Sequence, residues 1–143
     1  MEIRKATIQD IELITELRIT FLRLFEENQI NQEQIKQYFM EHIPTQQCTF
    51  LLTYDHDKIV GTGAIYYYRS IPSNQCPTGR IGHITSMWVN PYYRIAKKLL
   101  DGLIADAKGK CDEIQLCSSA DGINLYEKYG FKKKEDVYTW TIL

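Results

Sequence analysis

The order of hydrophobic and polar residues alternates between the strand period and the helix period along the chain. Glu2–Thr7 alternates as a short strand, and Ile8–Phe25 places its apolar residues at helical spacing. Thr7 and Asp10 form the start of a capping box for that helix. A second helix is predicted over Asn31–Ile43, where a proline ends it. We therefore expect one strand followed by two helices.

The middle of the chain predicts a hairpin, a long loop, a strand and a helix. Cys48–Arg69 contains two apolar runs around an Asp-His-Asp turn, which is typical of adjacent antiparallel strands. Ser70–Gly79 carries proline and glycine and is predicted to be a loop. Arg80–Val89 is a further strand, and the broad apolar stripe from Pro91 to Lys108 predicts a helix packed on a sheet.

The last third predicts a strand over Asp112–Ser118, a helix over Asp121–Phe131 and a final alternating strand over Asp136–Leu143. Gly130 is expected to end the helix. This order predicts an α/β fold with a single mixed, mainly antiparallel sheet and flanking helices. Its one strand-helix-strand crossover lies in the second half, where we expect the chemistry. A length of 143 residues suits a single domain spanning 1–143.

The amino-acid composition disfavours several classes of function, among them nucleic-acid binding, metal binding and membrane association. The chain has 17 basic and 18 acidic residues and a net charge of -1, which gives no indication of a nucleic-acid partner. The four cysteines are far apart and form no CxxC pair, so we expect no metal site and reduced thiols in a cytoplasmic protein. No apolar run approaches the roughly 18 residues of a membrane span, so no membrane association is expected.

Three segments carry a resemblance to a known family. The runs "MWVNPYYR", "IAKKLLDGLIADA" and "LYEKYGF" resemble the GNAT superfamily of N-acetyltransferases, and the whole chain fits that fold in length and element order. The resemblance implies a central pair of parallel strands that splay apart and acetyl-CoA as cosubstrate. It also implies direct transfer of the acetyl group to a primary amine through a tetrahedral intermediate.

The resemblance further implies a site for the pyrophosphate of acetyl-CoA at a strand-to-helix loop. Val89, Arg94, Ile95 and Ala96 match the family motif in type, but the x-x-G between Arg94 and Ile95 is missing. Loop amides and the positive end of the helix dipole would bind the anion. Either the loop is shortened, or a glycine-bearing segment is missing from the sequence; the intact register of both flanks favours the missing segment. Alternatively, Asn90 caps a helix that begins at the next residue and merely packs.

Three further positions, together with Val89, are implied to contact the rest of the cofactor. In the family, backbone groups of the splayed strand bind the pantetheine arm and polarise the thioester carbonyl, and these correspond here to the backbones of Met87 and Val89. Trp88, between them, is a further residue implied to contact the cofactor. Ser119 stands where many relatives carry an asparagine that contacts the coenzyme A arm, and its shorter side chain reaches less far.

The resemblance places Tyr126, the first tyrosine of "LYEKYGF", beside the sulfur of coenzyme A, as general acid for the departing thiolate. Its alternative role is a packed aromatic residue. His83, on the strand that leads to the thioester, is the candidate base for the incoming amine because its pKa is suitable. A packed strand histidine is the alternative. Glu26 and Glu27, at the end of the first helix, are weaker candidates for substrate contact.

The acceptor is not fixed by the sequence. Aromatic residues in "IYYYR" (Ile65 to Arg69) and "VYTW" (Val137 to Trp140) are candidates to line its pocket, and alternation puts Tyr66 and Tyr68 on one face and Tyr67 on the other. A small-molecule amine and a protein N-terminus both fit, and a homodimer is common in the family. The missing glycines also favour a second hypothesis, a catalytically weak module that binds acyl-CoA.

Overall fold

The computed structural model describes residues 1–25, 29–134 and 137–142. Its strands form one mixed sheet in the order β1-β2-β3-β4-β5, in which the first four are antiparallel neighbours and β4 and β5 are parallel. The strands are β1 Glu2–Lys5, β2 Cys48–Asp55, β3 Lys58–Arg69, β4 Arg80–Val89 and β5 Glu113–Leu116.

Within the described residues, four α-helices flank the sheet. They are α1 Ile11–Leu22, α2 Gln32–His42, α3 Ala96–Ala107 and α4 Ile123–Tyr129, with short 3-10 helices at Ile8–Asp10 and Ala120–Gly122. The predicted capping box is confirmed, since Thr7 and Asp10 bond reciprocally, and Asn31 caps α2 through the amide of Gln34. Gly130, at φ 125°, ends α4 in the conformation that glycine tolerates best. No described helix is long and apolar enough to span a membrane.

The sheet separates two hydrophobic layers. On one face α1 and α2 pack through Ile14 and Phe39 against Phe50 and Leu52 of β2, and on the other α3 packs through Leu99 onto the sheet. Neighbouring residues of one strand therefore serve different layers, as the two-residue period of a strand requires. Burial of one leucine, isoleucine or phenylalanine side chain stabilises the folded state by about 1.5–3 kcal/mol. The helices on both faces of the sheet therefore contribute to the stability of the fold.

The predicted fold class is confirmed in its mixed, mainly antiparallel sheet and its parallel pair. The pair is not central, however, since β5 forms one edge of the described sheet. The predicted strand Asp136–Leu143 is also wrong over residues 137–142, which join no described strand; its two end residues lie outside the described part. Tyr138 and Trp140 are more than nine-tenths exposed. Alternation indicates which residues would share a face, but it does not provide a partner strand.

Candidate active site

A gap opens between the two parallel strands. Their ladder runs from Ile81 opposite Glu113 to Ile84 opposite Leu116, whereas β4 continues to Val89. The separation of the two parallel strands that the resemblance implies is therefore confirmed. Beyond Ile84, the backbone of β4 has a partner only on its β3 side among the described strands.

The backbone groups along this gap have a defined direction. The amide of Asn90 donates to the carbonyl of Val60 at 2.8 Å, which points it toward β3. Because consecutive strand residues direct their amides to opposite edges, the amide and carbonyl of Val89 point toward the gap, and those of Met87, two residues earlier, point the same way. These are the backbone groups that the family resemblance implies for binding of the cofactor.

A β-bulge at Ser86 shapes this end of β4. The register with β3 shifts between Thr62 and Ala64, and Ser86 adopts φ 55°, a left-handed conformation that is costly for a residue with a side chain. The Thr62 hydroxyl donates to the carbonyl of Ser86 at 2.7 Å and holds the bulge in place. Sequence reasoning missed this feature, because a bulge leaves the hydrophobic pattern of a single strand almost unchanged.

The bulge changes which face the next side chains occupy. Without it, Thr85 and Met87 would share a face. Instead Thr85 contacts Arg18 of α1, and Met87 lies on the α3 side, where a Cβ at Gly63 would stand 2.7 Å from its sulfur and 3.2 Å from Leu103. Near its C-terminal end, β4 thus directs Thr85 toward α1 and Met87 toward α3.

Arg18 braces the bulge from the α1 side. Its Nη1 atom donates to the Thr85 hydroxyl at 2.7 Å and to the Ser86 hydroxyl at 3.0 Å, and its guanidinium also lies over the ring of Phe21. The sequence contained a signal for this residue, since it is the one cation within α1. Sequence reasoning nevertheless missed it.

His83 lies on the same face, one rung before the ladder ends. It pairs with Tyr66 of β3 and Gln115 of β5, and its ring is 5.2 Å from that of Tyr66. Burial lowers the pKa of His83, and the positive charge of Arg18 lowers it further. The imidazole is therefore neutral near pH 7 and able to accept a proton.

A cavity of about 320 Å³ lies on this face between α1, α2 and the sheet. Its described lining residues are Arg18, Gln34, Ile35, Tyr38, Phe39, Cys48, Ala64, Tyr66, Thr85 and Ser86. The cavity thus borders the bulge, and His83 contacts one of its walls through Tyr66. As predicted, Tyr66 and Tyr68 share this face, while Tyr67 turns to the other and donates to Asp106 of α3. Tyr138 and Trp140, which were also candidates, are exposed and do not line it.

Tyr126 lies on the opposite face, in the layer formed by α3. It is half-buried against Gly122, where a Cβ would stand 2.8 Å from its ring, and its ring centroid is 6.0 Å from that of Phe131. Burial raises the pKa of its hydroxyl, so the proton stays on the oxygen at neutral pH. Helix α4 is tied to α3 by Tyr129, which donates to Asp101 at 2.6 Å.

The two predicted catalytic side chains therefore lie on different faces of the sheet rather than side by side. His83 belongs to the α1 and α2 face, and Tyr126 belongs to the α3 face. Beyond Ile84 and Leu116 the ladder between β4 and β5 has ended, so no strand pairing of the described residues separates the two faces there. Glu26 and Glu27 lie outside the described residues.

The loop that leads to α3 is short and continuous. The chain passes directly from Arg94 to Ile95, which has φ −119°, so the predicted missing segment is wrong. A helix starting at Pro91 is also wrong, because Asn90 folds the chain into a turn. Its side-chain oxygen accepts from the amide of Tyr92 at 3.0 Å, and its carbonyl accepts from the next amide at 2.9 Å.

Helix α3 begins with a cationic first turn. Its first internal bond runs from the amide of Leu99 to the carbonyl of Ile95 at 3.0 Å, so the amides of the first turn have no partner within the helix. Lys97 and Lys98 stand in this turn, where the helix dipole favours anions over cations. A bound phosphate would accept from the amides of the first turn and offset the charge of the two lysines. The buried Ile95 and exposed Arg94 frame it from the loop.

The remaining predicted cofactor residues lie near the gap. Trp88 is 37% exposed and pairs with Thr62 of β3. Ser119 is exposed just beyond β5, where its carbonyl accepts from the amide of Gly122 and from the Ser118 hydroxyl.

Comparison with known proteins identifies relatives. The sequence profile of the Acetyltransferase (GNAT) family matches residues 12–131. A predicted acetyltransferase from Clostridium acetobutylicum, solved with acetyl-CoA, is 28% identical over 99% of this chain and 96% of that one, with a TM-score of 0.90. A GCN5-related N-acetyltransferase from Ralstonia eutropha is 16% identical over 98% and 97%, with a TM-score of 0.84. Glucosamine-6-phosphate N-acetyltransferase from Arabidopsis thaliana is 23% identical over 99% and 97%, with a TM-score of 0.72. No curated protein matches significantly.

Proposed function

Because the chain belongs to the GNAT family of acetyltransferases, we propose that it moves the acetyl group of acetyl-CoA to a primary amine at the gap between β4 and β5. The donor is acetyl-CoA, which is also bound in the Clostridium acetobutylicum relative. The acceptor enters from the α1 and α2 face, and the amine attacks the thioester directly to give a tetrahedral intermediate.

The residues present fit the donor. The amides and carbonyls of Met87 and Val89 would bind the pantetheine arm, and an amide directed at the developing oxyanion is worth about 3–4 kcal/mol. The first turn of α3, with Ile95, Ala96 and the exposed Arg94, would hold the pyrophosphate. Ser119 and the exposed edge of Trp88 would flank the arm. The donor supplies the activated acyl carbon when it is bound.

His83 is the proposed base. An amine with a pKa near 10.4 is neutral in about one molecule in 2,500 at pH 7, which costs about 4–5 kcal/mol unless its proton is removed. The imidazole, kept neutral by burial and by Arg18, accepts that proton directly or through water. Its position one rung before the end of the ladder puts it next to the gap.

Tyr126 is the proposed acid. The departing thiolate needs a proton, and a phenol that burial keeps protonated can donate it from the α3 side. Acid and base then act from opposite faces of the sheet. The proton taken from the amine and the proton given to the sulfur need not be the same one.

The observation that carries this proposal is the ladder that stops at Ile84 while β4 continues to Val89. The test is a thiol-release assay with acetyl-CoA and a panel of primary amines, with the product confirmed by mass spectrometry as the acetylated amine. Release of coenzyme A that depends on the amine supports the proposal. Acetyl-CoA binding without release for every amine contradicts it.

The short loop supports a second candidate, a module that binds acyl-CoA with weak turnover. Two amides of the loop, those of Tyr92 and Tyr93, are already bonded to Asn90, which leaves fewer donors for a pyrophosphate. Isothermal titration with acetyl-CoA separates the candidates when it is combined with the thiol-release assay. Binding without amine-dependent turnover favours the module, and turnover favours the enzyme.

The proposed compartment is the cytoplasm. All four cysteines lie within the described residues as free thiols, which agrees with a reducing environment.

A further inference from the structure

We infer that Tyr93 is a positioning residue for the donor, because its hydroxyl bonds to Asp55 and thereby holds residues 90–95 in the shape that binds pyrophosphate. Residues 90–95 are called the donor loop below. The inference rests on the donor site of the proposed acetyl transfer. It goes beyond that site, because the family resemblance assigns no role to either Tyr93 or Asp55.

The donor loop is bonded to both strands of the β2–β3 hairpin. At its start, the amide of Asn90 donates to the carbonyl of Val60 in β3 at 2.8 Å. In its middle, the Tyr93 hydroxyl donates to Oδ2 of Asp55, the last residue of β2, at 2.5 Å. The loop therefore follows the hairpin instead of extending into solvent.

The end of the donor loop is attached by packing. Ile95 is 2% exposed and lies on Gly61 of β3, where a Cβ would stand 2.6 Å from its Cδ1 atom and 3.2 Å from Leu99. A larger residue at position 61 would displace Ile95, so the glycine lets the loop lie directly on the strand. Because Ile95 immediately precedes α3, this contact also fixes where the helix begins.

Tyr93 determines the path of the loop between these two ends. Its ring packs against the layer formed by α3, whereas its neighbours Tyr92 and Arg94 are exposed, Tyr92 by 93%. The bond to Asp55 thus sets the direction in which Arg94 and the amides after it leave the loop. Those amides belong to the first turn of α3, which is the proposed pyrophosphate site.

A loop that is held in place before binding compensates for a small number of hydrogen-bond donors. The glycine-bearing x-x-G of the family motif is missing here, so fewer loop amides are present to bond the pyrophosphate. More of the affinity then depends on the position of the amides that remain. Ordering a loop during binding costs conformational entropy, whereas a loop attached at three points has already lost that freedom.

The test measures the affinity for coenzyme A by isothermal titration. Tyr93→Phe and Asp55→Ala should each weaken binding about 10-fold, the size of effect expected from loss of one hydrogen bond to a charged group. The double variant should bind no more weakly than either single variant, because both changes remove the same bond. Asp55→Asn keeps an oxygen that accepts from the hydroxyl and should restore most of the affinity. Tyr92→Phe, which removes an exposed hydroxyl from the same loop, is the matched control and should bind like the wild type.

A shortened donor distinguishes positioning from a general loss of structure. S-acetylpantetheine carries the thioester and the pantetheine arm but no pyrophosphate. Tyr93→Phe should raise KM for acetyl-CoA about 10-fold with little change in kcat, and it should leave kcat/KM for S-acetylpantetheine almost unchanged. A merely structural role of Tyr93 would lower the melting temperature and reduce activity with both donors alike.

The outcomes separate this inference from the proposed function. Unchanged affinity in a folded Tyr93→Phe, additive losses in the double variant, or equal losses with both donors overturns the role of Tyr93 and leaves acetyl transfer standing. Affinity that depends on Tyr93, without amine-dependent turnover, supports the inference and contradicts acetyl transfer. Absence of coenzyme A binding by the wild type overturns the donor site and the inference together.

Discussion

Replacement of Tyr126 by phenylalanine tests the proposed acid with little change to packing. The ring contacts with Gly122 and Phe131 involve carbon atoms that phenylalanine retains, so only the hydroxyl is lost. We expect stability to change by less than about 1 kcal/mol. If the hydroxyl protonates the leaving thiolate, turnover should fall by roughly 10- to 1000-fold, which corresponds to about 1.4–4 kcal/mol of transition-state stabilisation.

Tyr129→Phe is the matched control. It removes a hydroxyl from the same helix, but that hydroxyl donates to Asp101 of α3 and not to the gap. The assay is steady-state thiol release at saturating acetyl-CoA, with thermal unfolding to check folding and titration to measure the affinity for acetyl-CoA. Tyr126→Phe should lower kcat with unchanged affinity, and Tyr129→Phe should lower stability more than kcat. Equal kcat in a folded Tyr126→Phe and the wild type would refute the assignment.

Three further predictions address the base, the helix terminus and the core. Because burial and Arg18 lower the pKa of His83, the acidic limb of kcat/KM should lie below pH 6.5 and disappear in His83→Gln; a pH profile of unchanged shape would remove the imidazole from the mechanism. Lys98→Glu places an anion in the first turn of α3 and should raise thermal stability by about 0.3–1 kcal/mol while weakening acetyl-CoA binding; tighter binding by titration would argue against a pyrophosphate there. Burial disfavours the Asp106 carboxylate, but hydrogen bonds from two lysines and a tyrosine outweigh it and lower its pKa to about 2. A carboxylate with a depressed pKa in the folded state stabilises the fold above its unfolded pKa, and this stabilisation is lost as the pH falls. Urea unfolding should therefore show that Asp106→Asn lowers the free energy of unfolding by about 2 kcal/mol at pH 7 and by about 1 kcal/mol at pH 3. Asp57→Asn, in the exposed β2–β3 turn, is the control and should change the stability little at either pH.

The sequence predicted the bounds of an element correctly where the residues at its ends favour only one backbone structure. Strand β4 was predicted with its observed bounds, since both its ends are marked by the loop glycine and by Pro91. The start of α3 was missed because Asn90 and Pro91 are equally good at opening a helix and at opening a turn. Here the side-chain oxygen of Asn90 accepts from the amide of Tyr92, so the chain forms a turn and not the start of a helix.

The candidate site was predicted only in part. The backbone of Val89 and the tyrosine of α4 follow from motifs that are local in sequence. The contact between Arg18 and the hydroxyls of Thr85 and Ser86 joins positions more than sixty residues apart, and nothing in the local pattern of either segment records it. The last predicted strand failed for a related reason, since pairing with another strand is a long-range contact that alternation within one segment does not record.

The bulge at Ser86 has a consequence for how this protein can diversify. Because it places Thr85 and Met87 on opposite faces, substitutions at Thr85 would alter the proposed acceptor side while the proposed donor side keeps its surface. Acceptor preference could then drift under selection, or be redesigned, independently of the affinity for the thioester. Deletion of one residue at the bulge would remove that independence, since the following side chains would exchange faces and every contact beyond it would be reassigned.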